Sequence, residues 1–263
     1  MQDFRFIKVT DVGATRWLEY DRPPVNAFTR EMVEEVRSSL HTALADPLVR
    51  VVVMASAGER YFSAGADLRE FRGMDRAGMA SWVELCHEIA DLLRGSPKPL
   101  LAAINGTAVG GGLEMTLHCD LRFAAQDAKF GQPEVQIGFI PPIATTQALA
   151  RLIGRPKTLR YLYSGAMIEA DEALRWGLVD ELVAAKDLRA RVQAYADELT
   201  AKSATALKAI RQSVTLGAGM SFQEGMLLEG ELAAALADTH DFTEGIDAFL
   251  SKRSPHWERP DEA

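Results

Sequence analysis

The sequence predicts an α/β protein, in which a β/α body with a mostly parallel sheet is followed by an α-helical tail. In the first part of the chain, apolar β-rich runs alternate with stretches of helical periodicity, which is typical of βαβ crossovers. From about Pro142 onward the pattern is mainly helical. We place the body at residues 1–200 and the helical C-terminal region at residues 201–263.

The first predicted elements are a hairpin, a helix and a buried strand. The β-rich runs FIKVTDVG and ATRWLEY meet at residues 12–14, which predicts a β-hairpin. Thr29 can cap a helix whose apolar residues recur at helical spacing, and Asp46-Pro47 ends that helix. The run VRVVVMAS from Val49 is almost continuously β-branched, as in a strand covered on both faces.

The same order of elements then recurs. MASWVELCHEIADLLRG contains a helical pattern, LLAAI predicts a strand, GGGLEMTLHCD opens a short helix, and LRFAA predicts another strand. The helical tail is too short to bury its apolar faces alone. We therefore expect it to pack on the body or on another subunit.

Composition and charge limit the partners. The 263 residues carry 29 Lys+Arg and 37 Asp+Glu, and the net charge of −8 argues against nucleic acid or an anionic membrane as the main partner. No apolar run approaches the length of a membrane span, and the first residues lack a secretory signal pattern. Cys86 and Cys119 form no CxxC pair, so we expect a cytoplasmic protein with reduced thiols.

Two glycine-bearing segments are candidates for ligand contact. Small residues in Phe62–Leu68 let the backbone approach a ligand closely. Gly110-Gly111-Gly112 opens a helix, where free N–H groups and the helix dipole favour an anion or an oxyanion. Taken singly, each segment could also be an ordinary tight loop.

Several common motifs are absent from the sequence. There is no GxGxxG, GxxxxGK[ST] or GxSxG pattern, and His87-Glu88 lacks the second histidine of HExxH. The other histidines show no metal-ligand spacing, so we expect no metal site and a structural or solvated role for each of them: His41, His118, His240 and His256.

Glu114 and Glu134 are the candidate acid/base pair. Glu114 lies in the first turn of the short helix among apolar neighbours, a setting that raises the pKa of a carboxyl group toward neutral pH. Pro133 predicts extended chain around Glu134. Each glutamate alone could be solvated, and it is their combination with the two glycine segments that favours a catalytic site.

With these segments the chain resembles the crotonases, the enoyl-CoA hydratase/isomerase superfamily. The resemblance runs from Arg22 to Arg253, and its strongest parts are FSAGADLREF, NGTAVGGGLEMTLHCDLRFA and FGQPEVQIGFIPP. It implies a crotonase-like spiral of repeated ββα units with a C-terminal α-helical region. It also implies homotrimers or hexamers, with the C-terminal region serving in trimerisation and in covering coenzyme A (CoA).

The resemblance also assigns roles to residues. Glu114 and Glu134 match the two catalytic glutamates, and the N–H groups of Ala66 and Gly111 match the oxyanion hole for an acyl-CoA thioester. CoA is then part of the substrate, and no separate cofactor is expected. Further CoA contacts are implied at four positions: Ala64, Arg69, Phe249 and Lys252.

One segment departs from the family pattern. Many hydratases read IPGAGGTQRL where residues 140–149 here read IPPIATTQAL, so Pro142 removes a backbone donor near the expected water. We expect hydration of a 2-enoyl-CoA. One alternative is a double-bond isomerase, which needs only Glu134, or another crotonase reaction that passes through a thioester enolate. The other is a non-catalytic protein that binds acyl-CoA or RNA.

Overall fold

A computed structural model describes residues 3–258 of the chain. In that range the strands are β1 (Ile7–Val12), β2 (Thr15–Tyr20), β3 (Val51–Ser56), β4 (Tyr61–Ser63), β5 (Leu100–Ile104), β6 (Thr107–Val109), β7 (Leu121–Ala125), β8 (Lys129–Gly131), β9 (Met167–Glu169) and β10 (Glu181–Val183). The α-helices are α1 (Arg30–Ala45), α2 (Arg76–Arg94), α3 (Gly111–Thr116), α4 (Thr145–Ile153), α5 (Arg155–Ser164), α6 (Ala170–Trp176), α7 (Leu188–Thr200), α8 (Ala204–Gly217), α9 (Phe222–Leu236) and α10 (His240–Leu250).

The strands form two sheets. The larger has the order β1-β2-β3-β5-β7-β10 and is parallel apart from the β1–β2 hairpin. The smaller has the order β4-β6-β8-β9 and is parallel apart from β8–β9. Successive strands alternate between the sheets, since β3, β5 and β7 join the larger and β4, β6 and β8 join the smaller. The expected spiral of ββα units is confirmed.

Helix α1 follows the sequence signals closely. Thr29 caps it through a hydrogen bond from the Met32 N–H to Oγ1 at 3.3 Å. It ends at Ala45, and Asp46 is the capping residue. Its apolar stripe packs toward α2 and the larger sheet: Met32, Val33, Val36, Leu40 and Ala43.

Strand β3 is buried on both faces, as its β-branched run predicts. Val52 and Met54 belong to the main core beneath α1 and α2. Val51 and Val53 point the other way, into a second apolar cluster that α7 covers with Val192. Alternate residues of one strand thus stabilise two cores.

Five short strands were not predicted: β4, β6, β8, β9 and β10. Each has three residues, which are too few to show alternation in a sequence. Two of them lie after Pro142, where we expected a mainly helical pattern. They matter because β4, β6 and β8 form the sheet from which the site segments leave.

The expectation of extended chain at Glu134 is wrong. Residues Glu134–Ile137 form a 3₁₀ helix, and the Gln136 N–H donates to the Pro133 carbonyl at 2.8 Å. Proline restricts the residue before it, whereas its own fixed φ is compatible with the start of a helical turn. The Pro133 ring therefore starts the turn that carries Glu134.

The predicted C-terminal region contains α8, α9 and α10, and its residues 259–263 lie outside the described range. Arg211 ties α8 to the body by donating to Asp120 at 3.0 Å and to carbonyl oxygens at the end of α2. Beyond this anchor the three helices expose many apolar side chains. No helix among residues 3–258 is long and apolar enough to span a membrane.

Candidate active site

The two glycine segments leave the same edge of the smaller sheet. Residues 64–66 follow β4 directly, and Gly110 follows β6, which pairs with β4 in parallel. A Cβ atom built on Gly65 would lie 3.3 Å from Cα of Gly110 and 3.4 Å from N of Gly111. The two segments are therefore in van der Waals contact through their backbones.

The backbone around Ala66 turns its N–H away from the neighbouring chain. The Phe28 N–H donates to the Gly65 carbonyl and the Asp67 N–H donates to the Phe28 carbonyl, each at 2.8 Å. In extended backbone alternate groups point to opposite sides, so the Ala66 N–H points the other way.

Gly111 supplies a second backbone N–H. It is the first residue of α3, and the N–H of a first helical residue has no acceptor within its helix. Within residues 3–258, neither the Ala66 nor the Gly111 N–H donates to a protein acceptor. Both residues line one cavity, so two backbone donors are available to an oxygen atom of a ligand.

Glu114 is the most buried ionisable group of this cavity. Its side chain lies in α3 and the residue is 1% exposed. One oxygen, Oε2, accepts from the Ile143 N–H at 2.8 Å and from the Thr145 hydroxyl at 2.6 Å. Burial and the nearby Glu134 carboxylate raise the pKa of Glu114 to about 8, although the two donors act against this shift.

Glu134 reaches the same cavity from the 3₁₀ turn and is half-buried. Its carboxylate lies over Gly110, where an added Cβ would be 2.8 Å from Oε1. The Gln132 amide, oriented with its nitrogen toward Glu134, donates to both carboxylate oxygens at 3.0 and 3.2 Å. Burial raises the pKa of Glu134 to about 7.

The cavity that holds both carboxylates has a volume of about 220 Å³. Its remaining wall is largely apolar and comes from α1, α2 and the loops after β4 and the 3₁₀ turn. The apolar wall residues include Phe28, Val33, Leu68, Phe71, Trp82, Phe139 and Ile143. Phe71 and Trp82 meet edge to face, with ring centroids 5.1 Å apart. Such a cavity suits an apolar acyl group attached to a carbonyl.

The structure brings some predicted CoA contacts to this cavity and leaves others outside it. Ala64 lines the cavity. Arg69 does not, and its 84% exposed side chain is paired with Asp67 at 2.7 Å. Phe249 is exposed in α10 and lines a separate surface cavity. Lys252 lies beyond the end of α10 and has φ +53°.

Two site residues were missed by the sequence reasoning. The Ile143 N–H and the Thr145 hydroxyl hold Glu114, although both lie in the segment that departs from the family pattern. The sequence did offer a signal for Thr145, because it is a polar residue directly after the apolar Ile143 and Ala144, close to Pro142. Pro142 itself lines the cavity in the turn before α4.

Two free amide donors beside two carboxylates are the groups that an enzyme needs in order to polarise a carbonyl group and move protons next to it. Comparison with known proteins identifies the family. The model of the enoyl-CoA hydratase/isomerase family matches residues 16–260. The chain belongs to that family, and so to the crotonase superfamily.

Relatives match along most of their length. A probable enoyl-CoA hydratase of Bacillus subtilis is 36% identical over 91% of this chain and 93% of its own. The crotonyl-CoA hydratase of Syntrophomonas wolfei is 32% identical over the same shares. The structure of DspI from Pseudomonas aeruginosa superimposes with a TM-score of 0.94 at 31% identity, and the match covers 98% of both chains. The enoyl-CoA hydratase of Bacillus anthracis gives a TM-score of 0.92 at 30% identity, covering 96% of this chain and 99% of its own.

The raised pKa of Glu114 predicts a pH-dependent stability effect. The folded protein keeps the Glu114 proton to about pH 8, whereas the unfolded chain loses it near 4.5, so this group's contribution to stability falls as pH rises between those values. We expect Glu114→Gln, which cannot ionise, to become more stable relative to wild type as pH rises, by as much as about 5 kcal/mol.

Thermal or denaturant unfolding at pH values on both sides of this window measures the effect. Glu84→Gln, an exposed glutamate on α2, is the matched control and should show no such trend. A stability difference for Glu114→Gln that does not change with pH would show that the buried carboxyl group is not protonated in the folded state.

Proposed function

We propose that the protein is an enoyl-CoA hydratase, which adds water across the 2,3 double bond of a 2-enoyl-CoA and gives the 3-hydroxyacyl-CoA. One observation carries the proposal: two carboxylates, Glu114 and Glu134, line the same cavity as two free backbone donors. The family match and the relatives with hydratase names support it.

The backbone donors act on the thioester carbonyl. With the carbonyl oxygen between the N–H groups of Ala66 and Gly111, negative charge that develops on this oxygen is stabilised. Electron density then leaves C3 of the conjugated enoyl group, and C3 becomes open to attack by water. The donors belong to backbone held by contacts between β4 and β6, so little reorganisation is needed during the reaction.

The two glutamates account for the protons. A water molecule between them loses one proton to an ionised carboxylate as its oxygen bonds to C3, and the protonated carboxyl group gives its proton to C2. One water is added, and the pair as a whole still holds one proton. We assign Glu114 as the base and Glu134 as the acid toward C2.

The electrostatics of the pair fit this requirement. Burial and mutual repulsion oppose ionisation of both groups at once, so the pair retains a proton near neutral pH. At lower pH both groups are protonated and no base remains. At higher pH both are ionised and no acid remains, so activity should show a maximum between the two ionisations of the pair.

We propose that CoA enters as part of the substrate and that no separate cofactor takes part. The predicted contacts are Ala64 and Arg69 for the nucleotide, and Phe249 and Lys252 for the adenine and the 3′-phosphate. Arg69 is exposed and can reach a phosphate group beside the cavity. Both cysteines are buried free thiols, which supports a reducing compartment such as the cytoplasm.

An isomerase remains the second candidate, and the observation that favours it is Pro142 in the cavity wall. Proline has no N–H to offer to a water molecule. An isomerase would move the double bond with Glu134 alone and would not need Glu114. The tight hydrogen bonding of Glu114 favours hydration, because it implies a role for both carboxylates.

Substitution of each glutamate tests the mechanism. We expect Glu114→Gln and Glu134→Gln each to lower kcat on crotonyl-CoA by about 10²- to 10⁴-fold, because general acid/base catalysis requires both groups. Loss of the conjugated thioester absorbance measures the rate, and Glu84→Gln should keep wild-type activity.

Mass spectrometry of the product separates the candidate functions. Hydration adds the mass of one water, and isomerisation of a 3-enoyl-CoA adds nothing. If only Glu134→Gln loses activity and the product mass is unchanged, the protein is an isomerase. Binding of acyl-CoA without any turnover would identify a non-catalytic protein.

Gly65 tests the backbone donors. A Cβ at this residue, which has a φ of +81°, would lie 2.9 Å from the Val109 carbonyl oxygen and 3.3 Å from Cα of Gly110, next to Gly111. We expect Gly65→Ala to lower kcat by about 10²-fold or more, as loss of an oxyanion donor does. Gly177→Ala is the matched control, because Gly177 has φ +79° with no neighbour within 4 Å, and it should lose stability but not activity.

We propose a homotrimer, alone or paired into a hexamer, assembled through the C-terminal helices. Their exposed apolar side chains support this, among them Ile210, Val214, Phe222, Leu227 and Leu250. Light scattering should give three or six times the mass of one chain, and Val214→Glu should reduce it. Lys208→Glu on the same helix is the control, and a monomeric wild type at micromolar concentration would contradict the proposal.

A further inference from the structure

Glu114 and His118 hold the two backbone groups of Ile143. Glu114 lies in α3, and His118 lies four residues further on, in the turn that follows this helix. The Ile143 N–H donates to Oε2 of Glu114 at 2.8 Å, and the Ile143 carbonyl oxygen lies 2.7 Å from Nε2 of His118. One short segment therefore clamps Ile143 on both sides.

This contact determines which ring nitrogen of His118 carries a hydrogen. A carbonyl oxygen can only accept, so Nε2 of His118 carries the hydrogen. The residue is 6% exposed, and burial lowers the pKa of its ring although the Ile143 carbonyl acts in the opposite direction. Nδ1 has no hydrogen-bond partner among the described residues. His118 is thus a neutral, fixed donor rather than a proton carrier.

The peptide unit that His118 holds is under conformational strain. It joins Ile143 to Ala144, and Ala144 has φ +49° and ψ +21°, in the left-handed region that alanine disfavours. Rotation of this unit would change φ of Ala144 and relieve the strain, but it would break the bond to His118. The Ala144 carbonyl belongs to the next peptide unit, and it accepts from the N–H groups of Gln147 and Ala148 in the first turn of α4. A change in φ of Ala144 would move this next unit and, with it, Thr145.

We propose that His118 is a positioning residue for Glu114. By holding the Ile143–Ala144 peptide, it keeps the Ile143 N–H and the Thr145 hydroxyl on one oxygen of Glu114. The other oxygen, Oε1, accepts no hydrogen bond from the described residues and is left for the ligand. The expected change in kcat rests on the proposed function, whereas the expected change in the pKa of Glu114 does not.

The surrounding charges are compatible with this role. Glu134 and the Cys86 thiol face Glu114, and burial raises the pKa of Cys86 to about 12, so it stays neutral. Asp91 and Arg94 of α2 act on the His118 ring in opposite directions. The other charged side chains of the cavity beside His118 are Asp120, Arg122, Arg151 and Arg211.

Two amide substitutions test the proposal. In His118→Gln the side-chain nitrogen can reach the position of Nε2, whereas in His118→Asn it falls short. We expect His118→Asn to lower kcat about tenfold with KM unchanged. Its activity maximum should move to higher pH, because a carboxylate that loses donors keeps its proton longer. His118→Gln should keep the wild-type profile, and identical profiles for both variants would overturn the proposal.

Spectroscopy of the substrate-free protein separates this proposal from the proposed function. Carboxyl NMR should show a higher pKa for Glu114 in His118→Asn than in wild type or His118→Gln. Ring ¹⁵N spectra of the wild type should show neutral His118 with the hydrogen on Nε2 at about pH 7. A hydrogen on Nδ1 would overturn the proposal even if His118→Asn does not fold. Absence of turnover in the wild type would count against the hydratase function. The NMR measurements on Glu114 and His118 would still test the positioning role of His118.

Discussion

The burial of the Glu114 carboxyl group is the constraint on which the site depends. An ionised carboxylate in an apolar interior costs several kcal/mol unless donors compensate for the lost water. The fold compensates with the Ile143 N–H and the Thr145 hydroxyl, and it also lets the group keep a proton because burial raises its pKa. The turn before α4 therefore stabilises a buried carboxyl group and also forms part of the site. For this reason the stability of the protein and its proton chemistry depend on the same few contacts.

Close approach of backbones places the other groups around this carboxylate. A Cβ on Gly112 would lie 2.5 Å from Cβ of Ser63, so α3 packs directly on β4. Gly110, with φ +51°, leaves the space that the Glu134 carboxylate occupies. A side chain at Gly112 would push α3 away from β4, and a side chain at Gly110 would displace the Glu134 carboxylate. The glycine segment thus sets the distance between the backbone donors and both glutamates, and this explains why a site for a carbonyl group forms where two short strands end.

The sequence predicted the features that local patterns encode. Long elements such as α1 and β3 follow periodicity and capping, and the resemblance to the crotonases pointed to Glu114, Glu134 and the glycine segments. The three-residue strands were not predicted, because their stability comes from pairing within the sheet and not from a local sequence pattern. The contacts of Ile143 with Glu114 and His118 span 29 and 25 residues and leave no periodic trace. We therefore expected His118 to be structural or solvated. It shows no metal-ligand spacing, and the sequence around it does not indicate that its ring contacts a carbonyl group 25 residues away.

The two carboxylates differ in a way that bears on which is the base. The protein itself buries Glu114 fully, whereas Glu134 lies half-exposed on a turn whose neighbours Val135 and Ile137 face solvent. A thioester that fills the cavity removes water mainly from Glu134, and desolvation raises the pKa of a carboxyl group. The two donors on Glu114 meanwhile continue to favour its ionised form. Substrate binding should therefore shift the shared proton from Glu114 to Glu134, which leaves Glu114 ionised to accept a proton from water and Glu134 protonated to supply one to C2. The unequal exposure of the pair thus supports the proposed assignment of Glu114 as base and Glu134 as acid. Because Pro142 has no N–H, the Ile143 N–H is the backbone donor that this segment offers to Glu114.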